Sequence, residues 1–113
     1  MAIDVKAKLQ YYPVSAQKTR LVVDLVRGKM AEEAITILKF VNKKSAEPVR
    51  KLIASAISNG ENNFGIQAEK LFIHKIVVDE APTRKWRRFG ARGRIKPILR
   101  RSSHINVILR EKE

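Results

Sequence analysis

The chain has 113 residues, enough for one domain with a modest core, and carries 24 lysines and arginines against 11 acidic residues, a net charge of +13. It contains no cysteine, which excludes disulfides and thiolate metal sites. No segment approaches the roughly 20 apolar residues that cross a bilayer, and the N-terminal MAIDVKAKLQ has no apolar signal core, so neither a membrane partner nor export is expected.

The first segment, AIDVKAKLQY, alternates apolar and polar residues. It predicts a half-buried strand with Ile3, Val5, Ala7, Leu9 and Tyr11 on one face. Pro13 breaks the strand, and Ser15 is placed to cap a helix through AQKTRLVVDLVR. Leu21, Val22, Leu25 and Val26 form the expected apolar stripe of that helix, closed by Gly28. A second helix fits AEEAITILKFV, with Glu32 and Glu33 in the first turn and Ala34, Ile35, Leu38 and Val41 inward. The third has Ser45 as N-cap, Pro48 in its first turn, and Val49, Leu52, Ile53, Ala56 and Ile57 at core spacing. NGENNFG is expected to end it in a loop. Two strand patterns follow: KLFIHKIVVD, and SSHINVILR, in which Ile105, Val107 and Leu109 alternate with His104, Asn106 and Ile108.

Charge divides the chain unevenly. Residues 1–80 hold 13 basic and 9 acidic residues, whereas 81–110 hold 10 basic and none acidic. The stretch PTRKWRRFGARGRIKPILRR contains Arg84, Lys85, Arg87, Arg88, Arg92, Arg94, Lys96, Arg100 and Arg101. Two strand patterns frame it, so it reads as a β-hairpin turning near FGARG, where Gly90 and Gly93 tolerate positive φ, with Pro82 and Pro97 almost opposite. At about 3.3 Å per residue it would project on the order of 30 Å. The expected architecture is α+β: one domain, with a globular body over 1–80 and 102–113 and an arm over 81–101. An isolated ribbon is marginal in water, so a partner is expected to fix it.

A block of like charge calls for a dense polyanion, and nucleic acid is the usual one. Arginine outnumbers lysine seven to two in the arm, which favours forked contacts to phosphate and stacking on bases. Trp86 and Phe89 interleave with the cations and can either stack on unpaired bases or pack on the ribbon itself. A solvated charged loop is the plainer reading of the segment. In the body, Lys6, Lys8, Lys18, Arg20, Arg27, Lys29, Lys43 and Lys44 form a second basic set, about half of it expected on phosphates and the rest in solvent.

Catalytic readings find little support. His74 and His104 lack a third ligand for a metal. Ser102 and Ser103 beside His104 have no nucleophile elbow. Asp79 and Glu80, adjacent on a strand, face opposite ways. GARGR opens no helix, so it is no phosphate loop. No enzyme, cofactor or small-molecule substrate is expected.

In order along the chain, SAQKTRLVVDLVRGK, EEAITIL, NKKSAEPVRKLIASAISN, VDEAPTRKWRRFGARGR and RRSSHINVIL resemble the bacterial-type family of large-subunit ribosomal protein number twenty-two, over about residues 7–110. The resemblance implies a three-stranded antiparallel sheet packed by three helices, with a long basic β-hairpin. It implies a structural constituent of the large ribosomal subunit that binds large-subunit rRNA, aids its assembly and lines the nascent-peptide exit tunnel. Implied partners are that rRNA, neighbouring ribosomal proteins including number four at the tunnel narrowing, and the nascent peptide. The implied location is the ribosome in the cytoplasm, an organellar ribosome being the other option. Carried over, the tip corresponds to 84–94, with Trp86, Arg87, Arg88, Phe89, Gly90 and Arg92 presented to the tunnel. This sequence departs from the family pattern at Trp86, where an arginine is usual, and at Phe89 and Gly90, where proline and a basic residue are usual. The rival reading is an architectural DNA-binding protein whose basic β-ribbon enters the minor groove, a class that generally works as dimers.

Overall fold

The computed structural model describes residues 3–89, 93 and 95–112, with backbone alone over 84–89 and 95–100. Strand β1 (Val5–Tyr12) is followed by α1 (Ala16–Val23), α2 (Ala31–Lys39) and α3 (Ala46–Phe64). Then come β2 (Leu71–Glu80), β3 (Arg84–Phe89), β4 (Ile95–Arg100) and β5 (Ser103–Glu111). The fold is α+β. Strands β1, β5 and β2 form an antiparallel sheet in that order, while β3 and β4 pair only with each other in a second sheet.

Alternation along β5 decides which side of the larger sheet faces the helices. Ser103, Ile105, Val107 and Leu109 are buried and the residues between them half-exposed. Register carries that face across the sheet: Leu109 lies opposite Val5 on one side and Ile73 on the other, and Ile105 opposite Leu9 and Val78. Against it pack Val22, Val23 and Val26 from the first helical region, Ala34 and Leu38 from α2, and Val49, Ile53, Ala56 and Ile57 from α3.

Several local expectations need correcting. Tyr11 does not continue the inward face of β1. The register slips between Leu9 and Tyr12, Tyr11 takes a left-handed φ of 55°, and Tyr12 packs against the core in its place. This bulge leaves Tyr11 64 % exposed, its amide donating to His104 Nδ1 at 3.0 Å and its ring edge-on to the imidazole. Ile3, which precedes the strand, is exposed as well.

Helix α1 is shorter than its pattern suggests. The amides of Leu25, Val26 and Lys29 bond carbonyls three residues back, and this tighter winding turns Val26 inward and leaves Leu25 outside. Leu21 is also outside, 61 % exposed, whereas Val23 joins the core. Gly28, at φ 79°, sits where the chain leaves this turn.

Helix α3 is longer than its pattern suggests, for NGENNF is its last part rather than a loop. Its end is a Schellman arrangement: Gly65 adopts the left-handed region at φ 65°, and the amides of Gly65 and Ile66 bond Glu61 and Gly60 carbonyls. Gly60 stays helical and buried because β1 and β2 come close; a Cβ there would stand 3.1 Å from Leu71 Cδ1 and 3.6 Å from Val5.

The outer edge of β2 is sealed by the segment that follows α1's start. Arg20 donates from Nε and Nη2 to the Val78 carbonyl at 3.2 and 2.8 Å, and Arg27 from Nη2 to the Ile76 carbonyl at 3.0 Å. Further along, the Ile73 amide bonds the Lys29 carbonyl, and Met30 bridges Phe72. Unpaired edge groups are a template for unwanted strand pairing, and here two guanidinium groups occupy them. Arg20→Ala is expected to cost about 1–2 kcal/mol, since hydrogen bonds from charged donors are worth more than neutral ones. Denaturant unfolding monitored by circular dichroism checks this.

At the other edge, Asp4 accepts a hydrogen bond from Arg110 Nε and so ties the start of β1 to β5. That bond, helped by the Arg110, His74 and Lys6 charges and opposed by desolvation, holds the Asp4 carboxyl below its ordinary value of 3.8. A depressed carboxylate stabilises the fold in full above the unfolded value and loses that contribution as pH falls through the folded one. Asp4→Asn is therefore expected to lower stability near neutrality and to flatten its decline below pH about 4, as read from thermal unfolding at a series of pH values.

Candidate nucleic-acid interface

The arm leaves the larger sheet where the Ala81 amide bonds the Ser102 carbonyl at 3.0 Å. In its ribbon Arg84 lies opposite Arg100, Lys85 opposite Leu99, Trp86 opposite Ile98, Arg87 opposite Pro97, Arg88 opposite Lys96 and Phe89 opposite Ile95. Pro97 thus faces Arg87, not Pro82, because the ladder register is centred on position 92, whereas opposed prolines would need a centre between 89 and 90. Gly93 takes φ 73° in that turn. Gly90, Arg92 and Arg94 lie outside the described residues, so their assignment to the tip stays an expectation.

The register has an electrostatic consequence. Two of its six directly opposed pairs, Arg84 with Arg100 and Arg88 with Lys96, place like charges across the ladder. Such pairs destabilise a two-stranded ribbon unless counter-charge is supplied, and the segment 81–110 contains no carboxylate to supply it. The molecule measures 64 × 26 × 18 Å, with a radius of gyration of 17.2 Å. A compact chain of this length would have about 13 Å. The excess length is what a ribbon standing away from a globular body produces.

The structure sorts the body cations into distinct groups. Lys18 in the first turn of α1, Lys43 and Lys44 between α2 and α3, and Arg101 at the arm root line one groove. Lys6 and Lys8 are exposed on the polar side of β1. Lys29 lines a separate depression with Phe72 and Lys112. Arg20 and Arg27 are committed to β2 carbonyls, and Arg27 also pairs with Asp24 at 2.6 Å. Their seven-residue spacing, two helical turns, is the signal that could have marked them as one structural row.

Sequence reasoning missed Ser45 as a groove residue. It precedes α3 but its side chain makes no capping bond, and its backbone is already helical at φ −79° and ψ −11°. Ser15, by contrast, accepts the Lys18 amide at 3.4 Å as a cap should. His74 is thrown outward by a bulge in β2 and stacks edge-on with Phe72, while His104 is held by Tyr11, so the two are not a pair. Among the described residues no group of three or more metal-ligating side chains comes together, and no helix is long and apolar enough to cross a membrane.

Fold and surface together define a class: a basic α+β protein in which a two-stranded cationic ribbon is mounted on a small sheet-and-helix body. Comparison with known proteins narrows that class. The family model described as ribosomal protein L22p/L17e matches residues 7–110. A large ribosomal subunit protein uL22 from Bdellovibrio bacteriovorus is 47 % identical over 110 residues, covering 97 % of this chain and all of the relative. One of the same name from Dehalococcoides mccartyi is 50 % identical over 107 residues, covering 95 % and 98 %. The chain belongs to the ribosomal protein L22p/L17e family and is a structural constituent of the large ribosomal subunit, not an enzyme.

Proposed function

We propose that the chain binds large-subunit rRNA through its arm and the basic side of its body, helps draw separate RNA segments together during assembly, and lines the nascent-peptide exit tunnel with its hairpin tip. It works in the cytoplasm, within the ribosome. The observation that carries the rRNA reading is the ribbon register, in which like charges face each other at Arg84/Arg100 and Arg88/Lys96 with no carboxylate in the segment. Surrounding phosphates would supply the counter-charge that the segment lacks. Each phosphate neutralised releases condensed counterions, so binding tightens through solvent entropy and weakens steeply with salt.

A thin ribbon also suits RNA better than a globule does. A-form helices hide their base edges in a deep, narrow groove, so a protein gains most by passing between helices and touching phosphates, 2′-hydroxyls and unpaired bases. On this reading the body, one domain over 1–80 and 102–113, anchors outside, and the arm over 81–101 carries Arg84, Lys85, Trp86, Arg87 and Arg88 inward. Its tip faces the tunnel and the passing peptide, next to ribosomal protein number four. Lys6, Lys8, Lys18, Lys29, Lys43, Lys44 and Arg101 add contacts around the base.

The test is a salt titration of the full chain against a large-subunit rRNA fragment and against duplex DNA of equal charge. A slope of log K on log salt of about −5 or steeper on RNA, with at least tenfold weaker binding to duplex DNA, is expected. Equal affinity for the duplex, with paired arms in a dimer, would favour the architectural DNA-binding reading instead. For the tip, a photo-crosslinker at Trp86 in assembled ribosomes is expected to capture tunnel-wall RNA or nascent chain; capture of solvent-side proteins alone would remove it from the tunnel.

A further inference from the structure

The groove lined by Lys18, Lys43, Lys44 and Arg101 has a composition that a purely electrostatic patch would not need. Its volume is about 620 Å³, and besides the cations it is lined by Pro13, Val14, Leu21 and Val22, with Ser15 and Ser45. Three separate parts of the chain converge there: the β1–α1 turn, the α2–α3 loop and the arm root. The Tyr12 hydroxyl donates to the Lys44 carbonyl at 3.4 Å and helps hold the first two together.

Two features point to a ligand with both an anionic and an apolar part. One is Leu21, 61 % exposed on the groove wall beside Lys18, which gives the cationic groove an apolar surface open to a ligand. The other is Ser45, 4 % exposed, lining the groove with a hydroxyl that makes no capping bond. Helices α1 and α3 both begin at this place, so their positive dipole ends add to the four cations. Among the described residues no carboxylate lines the groove; Glu80 lines the depression beside it, which shares Ser15, Lys18 and Arg101 and continues to Thr83 at the arm root.

We propose that this groove seats an unpaired nucleotide turned out of the RNA bound by the body. Its phosphate lies among Lys18, Lys44 and Arg101 and its base covers Pro13, Val14 and Leu21. The volume falls within the range of small-ligand pockets, on the order of 300–1,000 Å³, and admits a nucleotide where a duplex cannot enter. Unstacked bases in RNA loops and bulges are the usual targets of such contacts. The adjoining depression gives the flanking backbone a path toward the arm root.

The proposal rests on RNA binding by the body, and its test separates the two. Full-length, isotopically labelled protein is titrated with hexauridylate, with an abasic hexamer of the same backbone, and with a blunt RNA duplex, following amide shifts. Hexauridylate is expected to move Val14, Ser15, Lys18, Leu21 and Ser45, and to bind at these amides at least tenfold more tightly than the abasic strand or the duplex. Lys18→Glu with Lys44→Glu is expected to abolish those shifts, while the charge-matched Lys39→Glu with Lys70→Glu leaves most of them. Shifts confined to the arm, equal response to the abasic strand, or equal loss in both double variants would overturn the nucleotide site while leaving rRNA binding intact. Absence of binding to any RNA would overturn both.

Discussion

Replacing residues 84–100 with a short turn is expected to leave the body folded while rRNA affinity falls by at least about 10³-fold, because the segment holds eight of the chain's cations. The reason for the first half lies in the pairing. Strands β3 and β4 bond only each other, and the core cluster seen among the described side chains is built from the body's helices, the β1-β5-β2 sheet and the segments joining them. The ladder β1-β5-β2, with its helices, keeps the buried contacts of that cluster. Removing Arg84/Arg100 and Arg88/Lys96 even relieves repulsion that the isolated protein has to bear. Thermal unfolding and filter binding to a large-subunit rRNA fragment, run side by side, check the two halves. A collapse of the melting transition would show that the arm is part of the body's folding unit.

The second large effect concerns Ile53. It lies midway along α3, is fully buried, and belongs to the cluster that joins that helix to the sheet. Ile53→Ala is expected to cost about 3–4 kcal/mol, from lost transfer free energy plus the cavity left behind. Against a total stability of roughly 5–15 kcal/mol, that is enough to lower the melting temperature by about 10–20 °C. The same truncation at Ile108, half-exposed on the opposite face of the sheet, should cost much less. Equal losses at the two positions would mean that the sheet's outer face is covered in solution, against the one-sided burial along β5.

These two expectations divide the molecule by what holds it. Hydrophobic burial holds the body, whereas on the proposed function the arm depends on counter-charge supplied from outside. The structure also divides the basic residues, for Arg20 and Arg27 serve the fold whereas Lys18, Lys43, Lys44 and Arg101 face one groove. Net charge by itself treats all six alike.

Periodicity and composition were enough to determine the strand alternation of β5, the core positions of α2 and α3 and the paired ribbon, and they made a polyanion its expected partner. Each of these depends on neighbours within a few residues or on charge summed over a segment, so the information is local. Where the pattern misled, a long-range contact had overruled it. Gly60 sits inside the helix where β1 and β2 pack close against it, leaving a Cβ tight against Leu71, and no residue near NGENNF announces those strands. Tyr11 turns out of β1 because His104, 93 positions away, accepts its amide. Leu25 leaves the expected stripe when the backbone tightens to bring Val26 under the sheet. The groove is of the same kind: Lys18, Lys44, Ser45 and Arg101 are scattered over more than eighty positions, and only the closing of three loops on one another makes them neighbours.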